Sequence, residues 1–444
     1  MKSWRASTWG DEVTLEYGKA LRGYESATGR VQVFGSNGPV GWTENALSTG
    51  PGVILGRKGA YRGVQYSKGD FFVIDTAYYV VPKSDLDMRW LYYAIQHHKL
   101  GEIDDGSPVP STTRAAVYVR DLEVPPKDVQ TDIGRVLGEI DDKIEINRRI
   151  NETLEAMAHA IFKSCLVDFD PVKAKIAARA EGRDPLRAAM SALSGRSDAE
   201  LDALPPDHQT ALAATAALFP HELVQLPSGD APTGWSMKPL AQLTDKIGSG
   251  ATPKGGKEVY RDEGVALIRS QNVYDSLFVW EGLARITDEA ADQLKGVTVQ
   301  ECDVLLNITG ASFLRTCVVP QDVLPARVNQ HVAIIRAKAG VPPRFLHQHL
   351  LLPETKSFLM GLNAGASREA ITKGHIESLE VLVPPPELLD FFQAFTDPLF
   401  RQIECGARQM SALAEIRDAL LPKLLSGELS VNSAAAAVES LGAH

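Results

Sequence analysis

An internal duplication is the feature that most constrains how this 444-residue chain folds. Two strand-like segments that end in prolines, DLEVPPK at 121–127 and SLEVLVPPPE at 378–387, each precede a long helix-like stretch. Aligning Pro125 with Pro384, an offset of 259 residues, brings six apolar positions of the two helices into register without a gap. These pairs are Ile133/Phe392, Val136/Phe395, Ile140/Leu399, Ile144/Ile403, Leu154/Leu413 and Ile161/Leu420. The sequence therefore predicts two copies of one unit.

The match continues upstream at slightly smaller offsets. An apolar strand, a glycine-rich turn with an arginine and a second strand occur at 51–64 and again at 303–319, where Arg62 corresponds to Arg315. Further strands follow at 71–81 and 326–336, then short helix patterns at 89–96 and 344–351 and polar turns at 107–115 and 363–372. Each copy is predicted to be a mixed α/β globule followed by a long helix, which gives an α+β fold class.

The predicted boundaries follow from this repeat. The first globule covers 1–126, the first long helix 127–167, the second globule 234–386, the second long helix 387–429 and a flexible tail 430–444. Between the copies, 168–233 is rich in Ala, Pro, Asp and Arg, with few aromatic residues. It is predicted to be a linker that carries short helices but is poor core material.

The two long helices have apolar residues at the alternating spacings of 3 and 4 that are typical of a coiled coil. The predicted seam contains Ile140, Ile144, Asn147, Asn151, Leu154 and Ile161 in the first helix, and Ile403, Gly406, Met410, Leu413 and Leu420 in the second. A buried Asn in such a seam can fix the register, and a glycine lets the backbones approach. The helices are predicted to pair antiparallel as a rod on the order of 50 Å. The alternative is that each packs only on its own globule.

Composition limits the classes of function. The chain is 44% hydrophobic and 23% charged, as in globular proteins, and contains no apolar run long enough for a membrane helix. Its start lacks a secretory signal pattern, and its four cysteines are too far apart for a zinc or disulfide framework, so a cytoplasmic location is expected. The net charge of −10 argues mildly against nucleic-acid binding, which must then depend on local patches or on partners.

No catalytic motif is evident in the sequence. The glycine-rich stretch IGSGATPKGGKE at 247–258 fails the phosphate-loop pattern G-x-x-x-x-G-K-S/T, and the patterns of dinucleotide-binding proteins, serine hydrolases and zinc proteases are missing. The histidines His97, His98, His347 and His349 are more simply read as exposed or capping residues than as metal ligands. The chain is therefore predicted to have no catalytic or metal site.

Polar and basic residues do cluster in the turns between apolar strands of both copies. These side-chain types bind phosphates and base edges in DNA, Arg at guanine and Asn or Gln at adenine. The candidates are Arg57, Lys58, Tyr61, Arg62, Thr112, Thr113 and Arg114 in the first copy, and Lys254, Lys257, Arg269, Gln271, Asn272, Thr309, Ser312, Arg315, Asn329, Gln330, His331, Ser367 and Arg368 in the second.

Over nearly its whole length the sequence resembles the specificity (S) subunits of type I restriction–modification systems. LGEIDDKIEINRRINETLEAMAHAIFKSCLVDFDP at 137–171 is similar to the central helical region of that family, and RDALLPKLLSGEL at 417–429 to its C-terminal helical region. The stretches at 50–80 and 249–336 look like target-recognition domains. One departure is Phe313–Leu314 in the turn TGASFLR, where many relatives have a smaller residue and Gly.

The resemblance implies a non-catalytic protein that binds double-stranded DNA. Each target-recognition domain would read one half of a bipartite target, and the helices would set the spacer and dock two methyltransferase (M) subunits, with restriction/motor (R) subunits added for cleavage. S-adenosylmethionine, ATP and Mg would bind to the partner subunits and no cofactor to this chain. The alternatives are a single-chain DNA methyltransferase or nuclease with its own recognition domains, and a coiled-coil scaffold that does not bind DNA.

Overall fold

The computed structural model describes residues 4–59, 61–104, 110–227, 229–362 and 370–435. Their contacts divide the chain into two compact units: Met1–Arg148 with Arg408–His444, and Arg149–Ala407. Each unit contains part of both long helices. Within the described ranges, no helix combines the length and apolar character needed to cross a bilayer.

The elements of the described chain are as follows. The strands are β1 (Arg5–Thr8), β2 (Val13–Tyr17), β3 (Val31–Gly35), β4 (Gly38–Thr43), β5 (Gly52–Gly56), β6 (Val64–Ser67), β7 (Phe71–Val73), β8 (Ala77–Pro82), β9 (Asp121–Val124), β10 (Leu223–Leu226), β11 (Gly229–Pro232), β12 (Ser236–Pro239), β13 (Thr244–Ser249), β14 (Tyr260–Arg261), β15 (Val265–Ile268), β16 (Ala284–Ile286), β17 (Val304–Asn307), β18 (Thr316–Val318), β19 (Ala326–Val328), β20 (Val332–Ala337) and β21 (Glu380–Val383). The helices are α1 (Trp9–Glu12), α2 (Met88–His97), α3 (Arg114–Tyr118), α4 (Lys127–Phe162), α5 (Asp170–Ala180), α6 (Pro185–Ser194), α7 (Asp198–Asp202), α8 (Pro206–Ala217), α9 (Leu240–Leu243), α10 (Asp288–Gln293), α11 (Pro343–Leu351), α12 (Pro353–Gly361), α13 (Lys373–Glu377) and α14 (Pro386–Leu425).

The first unit is built on an antiparallel sheet with strand order β2-β8-β5-β6. A second sheet, β4-β3-β7, includes the parallel pair β3 and β7, and β1 pairs with β9. The central strand β5, GVILG, is buried along its whole length, which explains its continuous apolar sequence. Helix α2 covers this sheet and buries Trp90 and Leu91 in the core. Near the chain ends, the Trp4 indole lies 3.4 Å from where a Cβ at Gly427 would be.

The second unit repeats this plan. Its antiparallel sheet has the order β13-β20-β17-β18, its second sheet is β14-β16-β15-β19 with β15 parallel to β19, and β12 pairs with β21. The central strand β17 is again wholly buried, and α11 occupies the position that α2 has in the first unit. The predicted duplication is thus confirmed by the strand order.

The segment predicted as a linker is a folded insertion of the second unit. Helices α5 to α8 are followed by the hairpin β10–β11, and α6 and α8 pack around a small core that includes Ala189, Met190 and Leu201. The remaining members of this core are aliphatic, among them Leu186, Leu193 and Leu212, so it forms without aromatic residues. Helix α5 adds Val172 to the main core of the unit, beside Phe219. The expectation of poor core material was therefore wrong.

In the first unit, α4 and α14 run antiparallel. Arg417 Nη1 donates to Asp141 Oδ1 at 2.9 Å, and Asn147 Nδ2 donates to Gln409 Oε1 at 3.2 Å. Ile140 is buried, whereas Ile144, Met410, Leu413 and Leu420 are half-buried. The same helices also pack on their globule, because Ile133 and Leu424 belong to its core.

In the second unit, the helix segments meet around a polar contact. Asn151 is buried and its Nδ2 donates to the Ile403 carbonyl at 2.9 Å, while a Cβ at Gly406 would lie 2.5 Å from Asn151 Oδ1. Further along α4, Leu154 packs against the buried cluster that contains Ala158. At the end of α4, Phe162 is buried and Ile161 is half-buried, and a π-helical turn follows at Lys163–Val167. The predicted seam residue Ile161 packs against the core cluster that contains Phe162 and Phe392.

Candidate nucleic-acid interface

In both units, two turns that are distant in sequence meet at the end of the central strand. In the first unit Lys58 forms a β-bridge with Ser111, and the Thr112 amide donates to the Arg57 carbonyl at 2.9 Å. In the second unit the corresponding bridge joins Thr309 and Ala370. The polar and glycine-rich turns singled out in the sequence therefore form one surface in each unit.

The second unit has a cleft of about 830 Å³ at this place. It is enclosed by the segment after β15, the turn after β17 and the turn before β20. It is lined by Ser270, Gln271, Tyr274, Thr309, Gly310, Ala311, Ser312, Arg315, His331 and Ala370. Gln271, Thr309, Ser312, Arg315 and His331 were predicted from the sequence, so the fold brings these five together.

A chain of hydrogen bonds orients the polar side chains of this cleft. His331 Nδ1 lies 2.5 Å from Thr309 Oγ1, and its Nε2 lies 3.0 Å from Gln330 Nε2. Thr252 donates to Gln330 Oε1 at 2.8 Å, and the largely buried Asn329 accepts from the His331 amide through Oδ1 at 3.0 Å. The imidazole is thus held through both nitrogens, which fixes its orientation before any ligand binds.

Arg315 lies over an aromatic ring at the edge of the cleft. Its guanidinium carbon is 4.2 Å from the centre of the Tyr274 ring, and its side chain has no hydrogen-bond partner among the described residues. The preceding turn reverses sharply, with φ of +81° at Gly310 and +62° at Leu314. Leu314 is nevertheless buried, so its contact with the core holds a left-handed conformation that a glycine adopts more readily.

The first unit gathers a comparable set. The Arg57 guanidinium lies 5.0 Å from the centre of the Tyr17 ring and 5.8 Å from that of Tyr78. Arg114 lies 4.2 Å from the Tyr17 ring and 3.5 Å from a Glu16 oxygen. Burial raises the pKa of Tyr78 to about 12, so its hydroxyl stays neutral. Sequence reasoning missed Tyr17, Tyr78 and Tyr274, since only their position beside polar turns distinguished them from core aromatics.

The adjacent candidates Tyr61 and Arg62 of the first unit have different surroundings. Tyr61 is 78% exposed and borders a small cleft of about 390 Å³. Arg62 also lines this cleft, but its guanidinium donates inward to the backbone carbonyls of Gly101 at 2.9 Å, Gly59 at 2.7 Å and Ile103 at 3.1 Å. The structure thus corrects the assignment of Arg62 to the DNA surface, since its side chain holds two loops together.

Four further candidates support the backbone. Thr112 is buried and donates to the Ile103 carbonyl at 3.1 Å, and Thr113 caps the N-terminus of α3. Asn272 is fully buried; it accepts from the Arg269 amide and donates to the Val279 carbonyl. Arg269 donates in turn to the Gly282 carbonyl at 2.5 Å. Buried polar groups with satisfied partners are not available to a ligand, so Thr112 and Asn272 are corrected to supporting residues.

The remaining candidates are basic or lie outside the described part of the chain. Lys58, Lys254 and Lys257 are exposed on their turns. Ser367 and Arg368 lie outside the described residues.

The histidines of α11 are buried rather than exposed or capping, which corrects the sequence-based reading. Burial lowers the pKa of His347 and of His349 to about 3, so both are neutral. His347 Nε2 lies 3.2 Å from the Thr316 carbonyl. Over the described ranges, no three His, Cys, Asp or Glu side chains are grouped so that they could hold a metal ion.

Comparisons with known proteins agree with this architecture, although no family model matches the sequence. The chain is 29% identical over 381 residues to the type I restriction enzyme HindI specificity subunit of Haemophilus influenzae, covering 81% of this chain and 82% of that protein. It is 23% identical over 358 residues to the MjaIX specificity subunit of Methanocaldococcus jannaschii, covering 79% and 71%. A crystal structure of a type I restriction–modification S subunit from M. genitalium shares the fold, with a TM-score of 0.53 at 13% identity over 95% of this chain and 96% of that one. The chain is thus similar, over about four fifths of its length, to the specificity subunits of type I restriction enzymes.

Proposed function

We propose that this chain is the DNA-reading subunit of a type I restriction–modification complex. Each of its two units binds one half of a bipartite double-stranded target through the surface where its polar turns meet. The observation that carries the proposal is the cleft of the second unit, where Gln271, Ser312, Arg315 and an oriented His331 converge. These are side chains that recognise base edges and phosphates.

The long helices are proposed to set the distance between the half-sites. They contain 36 and 40 residues, and their asparagines contact the opposite helix. A polar contact at a fixed place in an apolar seam resists sliding, because a shifted register would bury the amide without its partner. A spacer of constant length follows from such a pair.

Catalysis is proposed to lie on partners. Two methyltransferase subunits dock on the helices and carry S-adenosylmethionine, and restriction/motor subunits add ATP and Mg for cleavage in the cytoplasm. The charge of −10 supports this division, since partners that close around the DNA must supply the positive charge that this chain lacks.

Selection of DNA from a randomised duplex pool tests the proposal. The full chain, alone and with its methyltransferase subunits, should enrich two short sequences separated by a gap of fixed length. Binding should weaken steeply as salt rises. Enrichment of no sequence by either preparation would favour a protein scaffold instead.

A second measurement separates the subunit from a self-contained enzyme. Purified chain is incubated with labelled S-adenosylmethionine and the selected DNA. We expect no methyl transfer without the methyltransferase subunits, and transfer by the chain alone would overturn the assignment of catalysis to partners.

A further inference from the structure

The arginines of the two polar surfaces differ in how their donors are used. Arg62 and Arg269 donate to backbone carbonyls. Arg315 and Arg57 have no hydrogen-bond partner for their side chains in the described chain, and each lies over a tyrosine ring. Two half-buried arginines without an acceptor are unusual, because a guanidinium carries five donors that are normally satisfied.

Stacking restricts a guanidinium without consuming its donors. The interaction with the ring face is electrostatic and holds the plane of the group, while the N–H bonds in that plane stay free. An arginine prepared in this way has already lost much of its rotational freedom. It can donate two parallel hydrogen bonds to an acceptor pair at a small further cost in entropy.

Guanine offers such a pair in the major groove, where O6 and N7 accept two bonds from one arginine. A phosphate also accepts two bonds from one arginine, so the neighbouring side chains must distinguish the two acceptors. Arg315 lines a cleft with Gln271 and Ser312, polar side chains that can also contact base edges. Among the described residues that line the cleft, none is acidic.

We propose that Arg315, held on Tyr274, reads a guanine in the half-site of the second unit, and that Arg57, held on Tyr17, reads a guanine in the half-site of the first unit. This inference rests on the proposed function and adds to it the identity of one base in each half-site. Tyr274 and Tyr17 are positioning residues, because they act only through the arginines.

The test is selection from a randomised duplex pool by the full chain with its methyltransferase subunits, repeated with single variants. Wild type should select a G·C pair in each half-site. Arg315→Ala should lose the preference for one G·C pair in one half-site, by roughly 5- to 150-fold. Arg57→Ala should do the same in the other half-site only, so that each variant is the control of the other.

Further variants separate base reading from charge. Arg315→Lys keeps the charge but not the planar fork, and should still lose most of the discrimination. Tyr274→Phe should keep the preference because the ring remains, whereas Tyr274→Ala should weaken it. Arg261→Ala, the loss of an exposed arginine outside the cleft, is the matched control and should leave every base preference unchanged.

The outcomes distinguish the inference from the proposed function. Arg315→Ala could instead weaken binding to all sequences alike and lower the slope of log affinity against log salt concentration by about one. Arg315 would then contact phosphate, and the inference would be overturned. An unchanged G·C preference in both variants overturns it as well. In either case the bipartite target remains and the proposed function stands. If wild type selects no sequence, both fail.

Discussion

At the scale of the residue, the duplicated sequence does not produce duplicated roles. Arg62 and Arg315 correspond in the alignment, yet Arg62 is bonded to three backbone carbonyls and Arg315 lies on a tyrosine at a cleft. In the turn before Arg315, Leu314 adopts a left-handed conformation, whereas the residue before Arg62 is the exposed Tyr61. The sequence shows the type and position of each side chain. The direction of a side chain depends on the geometry of its turn, which the sequence does not show.

Arg62 is expected to contribute to stability rather than to DNA binding. Arg62→Ala leaves half-buried carbonyls of two loops without a donor, and should lower the free energy of unfolding by at least about 2 kcal/mol. Urea unfolding measures this change. Arg315→Ala is the control, with an expected loss of no more than about 1 kcal/mol from the ring contact. Equal stability of the two variants would contradict the structural assignment of Arg62.

The buried histidines of α11 predict a loss of stability in acid. Burial lowers the pKa of His347 and His349 to about 3, against about 6.5 in an unfolded chain. Below pH 6.5 the unfolded chain therefore binds more protons, so stability falls towards pH 3 by up to about 1.4 kcal/mol per pH unit for each histidine. Burial raises the pKa of Glu155 to about 7, so this group acts in the opposite sense between about pH 4.5 and 7.

Measuring the free energy of unfolding as a function of pH tests the predicted direction of each effect. The double variant His347→Gln/His349→Gln should flatten the fall in stability below pH 6.5, and Glu155→Gln should steepen it. A fall that is as steep in the double variant as in wild type would assign the acid sensitivity to other groups.

At the scale of the element, the contact between Asn151 and Gly406 determines how closely α4 and α14 approach in the second unit. A Cβ at position 406 would lie 2.5 Å from Asn151 Oδ1, so Gly406→Ala must displace a buried amide that donates to the Ile403 carbonyl. The gain in helix propensity is about 1 kcal/mol. The lost buried hydrogen bond costs about 1 to 3 kcal/mol, which is the larger effect.

Gly406→Ala is therefore expected to destabilise the protein by about 1 kcal/mol in thermal or urea unfolding. Adding Asn151→Ala removes the displaced amide, so the double variant should be more stable than the sum of the single changes predicts. Additive effects would show that the two side chains do not share one space.

The sequence predicted these elements well where a pattern extends over many residues. The two long helices and the strands at 51–64 and 303–319 were located because apolar positions recur over whole elements. The core of the α5–α8 insertion was missed, because its Ala, Leu and Met residues are spread over several short helices and form no extended apolar pattern.

At the scale of the whole molecule, the spacer hypothesis makes a prediction about length. Inserting one matched heptad into α4 and one into α14 keeps the seam in phase and adds about 10 Å of helix. The selected target should keep both half-site sequences and change only the gap between them. A change in the bases selected would contradict the separation of reading from spacing.

The contact between Trp4 and Gly427 has a consequence for how such a chain can be encoded. Both residues lie in the first unit, so the chain enters and leaves this unit at nearby points. A gene that linked the two copies through a short peptide near these residues and began within the α6–α8 insertion would encode the same elements in a permuted order.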